Sequence, residues 1–198
     1  MAVQPVRYAF TVDDYYRMAE AGILGPDDRV ELIDGEVVEM SPIGSRHGSC
    51  VDRLTRLLVR AAGDRAVVRV QGAVRLDRRS EPEPDLALLR PRDDFYASQQ
   101  PGPGDVLLLI EVSDTTLTWD LGTKAGLYSR SGVAEYWVVD VEGRQIFVHR
   151  RPGPTGYGEV RAVAAGGALD VPGVPGVQLP VVDALGAGAG GSGAAPPG

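Results

Sequence analysis

Lysine is all but missing from this 198-residue chain: of twenty basic residues nineteen are arginine, and only Lys124 is not. Cysteine is as scarce. One thiol, Cys50, excludes an internal disulfide and any metal site built from several thiolates, which suits a reducing compartment. No run approaches the roughly 20 consecutive apolar residues that cross a bilayer. The opening "MAVQPVRYAFTVDDYYRM" lacks the basic stretch and apolar run of a secretory signal. The expectation is a cytoplasmic protein without a membrane partner. At 43% apolar residues the chain can bury a real core. Residues 1–183 read as one domain. Residues 184–198, "ALGAGAGGSGAAPPG", read as a disordered Gly/Ala-rich tail.

Net positive charge is also lacking, since the formal charge is −7. The average hides an asymmetry. Between Ser45 and Ser80 nine arginines (Arg46, Arg53, Arg56, Arg60, Arg65, Arg69, Arg75, Arg78, Arg79) face three acids (Asp52, Asp64, Asp77), a local excess of six positive charges. Such a lobe either grips a polyanion through bidentate arginine–phosphate contacts or is a solvated helix face with basic strand ends.

Periodicity and turn residues give the element order. "TVDDYYRMAEAG" starts on an N-cap threonine, Thr11, and closes on Gly22, a short helix. "RVELIDGEVVEM" is two strands turning at Asp34-Gly35. A helix follows from Ser45 to about Ala62, with Val51, Leu54, Leu58 and Ala61 on one face. Short strands are expected near Ala66–Gln71, Ala73–Asp77 and Asp85–Leu89, then a Pro/Gly-rich loop. Asp105–Ser113 is too continuously aliphatic for an edge strand, so it should be central and covered on both faces. A helix over about Leu121–Ser131, a hairpin turning at Glu142-Gly143, a strand at Glu159–Ala164 and a short segment near Val177–Val182 complete the order. The fold class is α/β, with a central mixed β-sheet of five to seven strands flanked by helices.

Within that central strand stands Glu111. A buried carboxylate is costly unless it is neutral, paired or bound to a cation. Mg²⁺ prefers carboxylate oxygens, waters and substrate phosphates. Asp85, just after Pro84 at the start of a strand, can converge with Glu111 if the two strands pair, and the carbonyl of Val112 offers a third oxygen. Lys124, on the next helix, can approach the same point. Two acids, a divalent ion and a lysine make a machine for phosphodiester hydrolysis. Arginine is a poor substitute there, because it keeps its proton and its planar fork fits differently. A compositional bias that spared one lysine by chance is the competing explanation.

"PD" at Pro84-Asp85, "EVS" at Glu111–Ser113, "KAGLYSRSGVAEYWVVD" from Lys124 to Asp140 and "ELIDGEVVEMSPIGSRHG" at Glu31–Gly48 resemble the Uma-two family of the PD-(D/E)XK nuclease superfamily. The resemblance covers about Val12 to Arg151. It implies a restriction-endonuclease-like fold and a Mg²⁺ (or Mn²⁺)-dependent endonuclease acting on nucleic acid, DNA first, with a homodimer as one arrangement. Asp85 and Glu111 would hold the metal with Val112, and Lys124 would assist water attack. The superfamily's lysine normally lies two residues after the glutamate, where this chain has Ser113; the resemblance moves that role to Lys124. Glu31 becomes a candidate additional acid, and His47, Arg46 and Gln71 candidate substrate contacts.

Each residue also has a plainer reading. Asp85 can simply begin a strand, Glu31 can pair with an arginine across its hairpin, and His47 can hydrogen-bond near its helix start. Asp120 reads as the N-cap of the helix carrying Lys124, Tyr128 and Tyr136 as neighbours of the site, and Trp119 and Trp137 as core or interface. At the level of function, a noncatalytic binding or assembly module on the same fold is the alternative. A two-carboxylate glycosidase has no use for Lys124 and lacks an aromatic sugar platform.

Overall fold

The computed structural model describes residues 7–186. Helix α1 (Val12–Glu20) is started by a reciprocal cap: Thr11 Oγ1 accepts from the Asp14 N–H, and the Asp14 carboxylate accepts from the Thr11 N–H at 3.0 Å. Strands β1 (Val30–Ile33) and β2 (Glu36–Glu39) form a hairpin across Asp34-Gly35. Both turn residues have positive φ, 51° and 80°, as a two-residue type I′ turn requires. Gly35 cannot be replaced freely, because a Cβ there would lie 2.7 Å from the Ala9 Cβ.

Helix α2 (Ser45–Ala62) buries Cys50, Val51, Leu54, Leu58 and Ala62 on one stripe, with Ala62 rather than Ala61 at its inner end. A six-stranded sheet follows, in the order β3 (Val67–Val70), β4 (Leu86–Leu89), β5 (Val106–Ser113), β6 (Glu135–Asp140), β7 (Gln145–Arg150), β8 (Glu159–Ala164). All neighbours are antiparallel except β5 and β6. A parallel pair needs a long crossover. Here it is a helical segment made of α3 (Leu117–Trp119), a π-helical turn (Asp120–Lys124) and α4 (Ala125–Arg130). A further two-stranded sheet, β9 (Ala168–Asp170) with β10 (Gln178–Pro180), leads into α5 (Val181–Leu185).

Strand alternation divides the core between the two faces of the sheet. Leu108, Ile110 and Val112 of β5 pack with α2, α5 and Leu169 on one side. Leu109 faces the other, with Ala125, Leu127 and Tyr128 of α4. Glu111 has the parity of Leu109, so it is aimed at α4. Asp85 has the parity of Ala87 and Leu89 and is aimed the same way.

Five expectations differ from this arrangement. No strand forms over Ala73–Asp77. Its partner is "SEPEP", where Pro82 and Pro84 have no N–H to donate, so only scattered bonds form, such as Val74 N–H to the Pro82 carbonyl. The crossover helix begins at Leu117, before Leu121, and absorbs an extra residue in its π turn. Asp120 therefore lies inside the helix and is not its N-cap. The segment near Val177–Val182 splits into strand β10 and helix α5, and Ala184 and Leu185, expected in the tail, are buried in that helix. The rest of the expected tail, 187–198, lies outside the described residues. Among the described residues no helix is long and apolar enough to cross a membrane.

Candidate functional site

The pairing of β4 with β5 sets the site. Leu86 opposes Ile110, so one step further out Asp85 meets Glu111 on the α4 side of the sheet. Asp85 Oδ2 accepts a hydrogen bond from the Val112 N–H at 2.8 Å and lies 3.0 Å from His47 Nε2, delivered by the first turn of α2. Its other oxygen, Oδ1, has no protein donor among the described residues. The Asp85 N–H points at Glu111 Oε2 across 3.4 Å.

Glu111 is only 4% exposed, and its Oε1 accepts from Lys124 Nζ at 2.9 Å and from the Tyr128 hydroxyl at 2.8 Å. Lys124 and Tyr128 stand four apart, at the junction of the π turn with α4, and so share one helix face. Lys124 is 5% exposed and is held from a second side by Glu31 Oε1 at 3.1 Å. Glu31 comes from β1 and is fixed by the Glu83 N–H, which donates to its Oε2 at 3.1 Å. The hairpin is pinned to the rest through the Leu32–Glu81 bridge, where the Glu81 N–H donates to the Leu32 carbonyl. Beneath the lysine, Ser113 and Thr116 both donate to Asp120 Oδ2 at 2.6 Å, and the Tyr136 hydroxyl donates to the Asp120 carbonyl. Ser113 is thus spent on fixing the turn that carries Lys124.

These groups form the floor of a pocket of about 660 Å³, walled by β2, the Met40–Gly44 loop and residues 114–119. The charge balance is uneven. Burial pushes the Glu111 carboxyl up to about 8; Lys124 works against that rise, while Asp85, Asp120 and Glu31 add to it. Burial alone would lower Lys124, yet Glu111 and Glu31 outweigh it and hold the ammonium well above its ordinary range. The two directions agree once charges are counted, because one ammonium serves several carboxylates. Lys124 is therefore a fixed cation near neutral pH, not a base. The hydrogen bond with Asp85 raises His47, against the opposing effect of burial. Its Nδ1 is buried without a partner among the described residues.

Of the residues named from the sequence, Asp85, Glu111, Val112, Lys124, Glu31 and His47 all line or reach this floor. Arg46 does not line the pocket; it lies 2.7 Å from Asp114 Oδ1 at the rim, mostly in solvent. Gln71 is exposed and contributes only a backbone N–H to the Asp85 carbonyl. None of the nine arginines between 45 and 80 lines the pocket; the arginine that does is Arg29. Trp137 is core, but Trp119 is 37% exposed and stands in the pocket wall. Glu83, Asp114 and Arg29 were not legible as site residues: each is a polar residue in a loop or at a strand end, with no periodic pattern broken.

Among the described residues no three His, Cys, Asp or Glu side chains converge as a ready-made metal cage. The donors present still fit Mg²⁺ or Mn²⁺, which is commonly held by one or two carboxylates, with waters and substrate phosphate completing the shell. Asp85 Oδ1 is open, Glu111 shares its one ammonium with Glu31, and both are oxygen donors.

A family model described as "Uma2: Putative restriction endonuclease" matches residues 12–182. Among solved structures, the chain is similar to "a putative nuclease belonging to DUF820" from Anabaena variabilis ATCC 29413. The TM-score is 0.66 at 15% identity, over 89% of this chain and 97% of that one. No curated protein matches the sequence.

Proposed function

Because this chain belongs to the Uma2 family of restriction-endonuclease-like proteins, we propose that it hydrolyses phosphodiester bonds in nucleic acid, with DNA as the first substrate to test. The observation that carries the reading is the buried lysine between Glu111 and Glu31, beside Asp85, at the bottom of one pocket. Asp85 and Glu111 are the residues that would hold Mg²⁺ or Mn²⁺. The Val112 carbonyl joins them, because a strand residue whose N–H reaches Asp85 turns its carbonyl toward the same edge. Such an ion supplies a polarised phosphate and an acidified water.

The protein's own groups do the rest. Lys124 keeps its proton, so it places a fixed positive charge where negative charge develops on the phosphate oxygens. Tyr128 and Glu31 hold the ammonium–carboxylate pair in place. His47, bonded to Asp85, is the titratable group able to take a proton from the incoming water or pass one to bulk solvent. The pocket walls limit competing water.

Purified protein should nick or cut DNA with Mg²⁺ or Mn²⁺, and Lys124→Ala and Glu111→Gln should each lower the rate at least 100-fold while circular dichroism stays native. Equal cleavage by the variants removes the mechanism. One observation favours a second reading, a noncatalytic binding module: Lys124 is already paired with Glu31 and Glu111, so its ammonium has partners without a substrate. That reading expects no cleavage with any divalent ion and nucleic-acid binding indifferent to Glu111→Gln.

A further inference from the structure

The floor of the pocket is recessed. Glu31, Glu111, Lys124 and Asp85 are between 3% and 8% exposed, so a reacting phosphate has to enter the pocket to meet them. A duplex displays its phosphates on a convex cylinder and is gripped mainly through basic tracks. The pocket here is the reverse: Glu39, Glu83 and Asp114 line it against Arg29, and of the arginine-rich segment only Arg46 comes near, paired with Asp114 at the rim. Its volume of about 660 Å³ is that of a pocket for a small ligand.

One wall carries Trp119, 37% exposed and stacked on no other ring among the described residues. Trp119 and Lys124 are five apart, a spacing that in a regular α-helix points to different sides. The π turn between them takes up the extra residue, and both side chains line the same pocket. An aromatic face is therefore tied rigidly to the catalytic ammonium.

Resting on the nuclease reading above, we infer that the pocket takes an unpaired nucleotide, from a single strand or a splayed end, and that Trp119 is the platform on which the base beside the scissile phosphate stacks. Stacking on an aromatic side chain tolerates any base, since each has a π face. Enzymes that work inside pockets take such strands directly or extrude the nucleotide from the duplex.

The chain has two tryptophans, and Trp137 is fully buried with its indole N–H bound to Glu135 Oε1 at 2.7 Å. Quenching of the tryptophan emission on stacking therefore reports Trp119. The test titrates the full chain with a short single-stranded oligodeoxynucleotide and with a blunt duplex of the same sequence, with Ca²⁺ in place of Mg²⁺ and again in EDTA. The single strand should quench and should bind at least tenfold more tightly than the duplex. By anisotropy of a labelled strand, Trp119→Ala should weaken binding about tenfold, while Trp119→Phe keeps most of the affinity. Duplex binding as tight as the single strand, or full affinity in Trp119→Ala, overturns the inference. Cleavage with Mg²⁺ is scored separately. Equal kcat/KM on both substrates, unchanged by Trp119→Ala, overturns the platform and leaves the nuclease. Stacking without cleavage of anything supports the platform and removes the nuclease.

Discussion

Lys124 answers why one lysine survives among nineteen arginines. A single ammonium on a flexible stem reaches between Glu111 and Glu31 in a space with almost no solvent; a planar fork with five donors would leave several unmatched there. The same crowding sets a pH dependence. Glu111 is raised from 4.5 to about 8, so the folded protein holds that proton more tightly than the unfolded chain does. The stability this contributes is complete below about pH 4.5 and is lost as pH climbs toward 8. Metal-free wild type should therefore lose thermal stability relative to Glu111→Gln between pH 5 and pH 8, and Mg²⁺ should restore it in wild type alone. Differential scanning fluorimetry of both proteins across that window checks it; a constant gap refutes it. Glu111 could be recognised in the sequence because a charge interrupting an aliphatic strand violates a strong pattern. His47 and Glu31 could not be placed on such grounds, since either residue is ordinary at a helix start or in a hairpin, and only the fold brings them to Asp85 and Lys124.

At the level of elements, the site depends on a two-residue turn. The Asp34-Gly35 hairpin holds Glu31 against the lysine, and Gly35 has φ of +80° with Ala9 packed against its Cα. Gly35→Ala meets both the left-handed backbone and a 2.7 Å clash. It should cost about 2 kcal/mol or more, read by urea denaturation, and should slow cleavage further by letting Glu31 drift. The hairpin was readable because Asp-Gly between alternating apolar residues has few other structural outcomes. The π turn was not. Nothing in "DLGTK" forbids a regular helix; Ser113 at the end of β5 and Thr116 at the helix N-cap both donate to Asp120 as the π turn begins, and the residue pattern does not show that they will converge there. The missing strand over Ala73–Asp77 failed for a legible reason, the prolines of its partner, which count only once the partner is known.

Across the whole molecule, the sheet separates two duties. One face, with α2 and α5, is plain core; the other carries the carboxylates and the lysine. Of the arginines of α2, Arg46 is paired with Asp114 at the pocket rim and Arg53 reaches back to the Leu185 carbonyl, so a basic stretch in the sequence does not become a basic site. Charge patterning along a chain cannot tell which face of a sheet a helix will cover. The boundary at residue 184 failed similarly: α5 is too short for a helical period to show, yet Ala184 is fully buried and its carbonyl accepts from the Cys50 thiol at 3.4 Å. Ala184→Asp should thus bury an unpaired charge at a cost of roughly 3 kcal/mol or more and lower Tm by on the order of 10 °C; an unchanged Tm would put residue 184 outside the domain. The scarcity of lysine has a last consequence, for chemical labelling. With the chain's only ε-amine shut beneath the pocket, an amine-selective acylating reagent finds no such group on the outer surface, and its uptake there becomes a clock for how often the centre breathes open and how far an occupant keeps it closed.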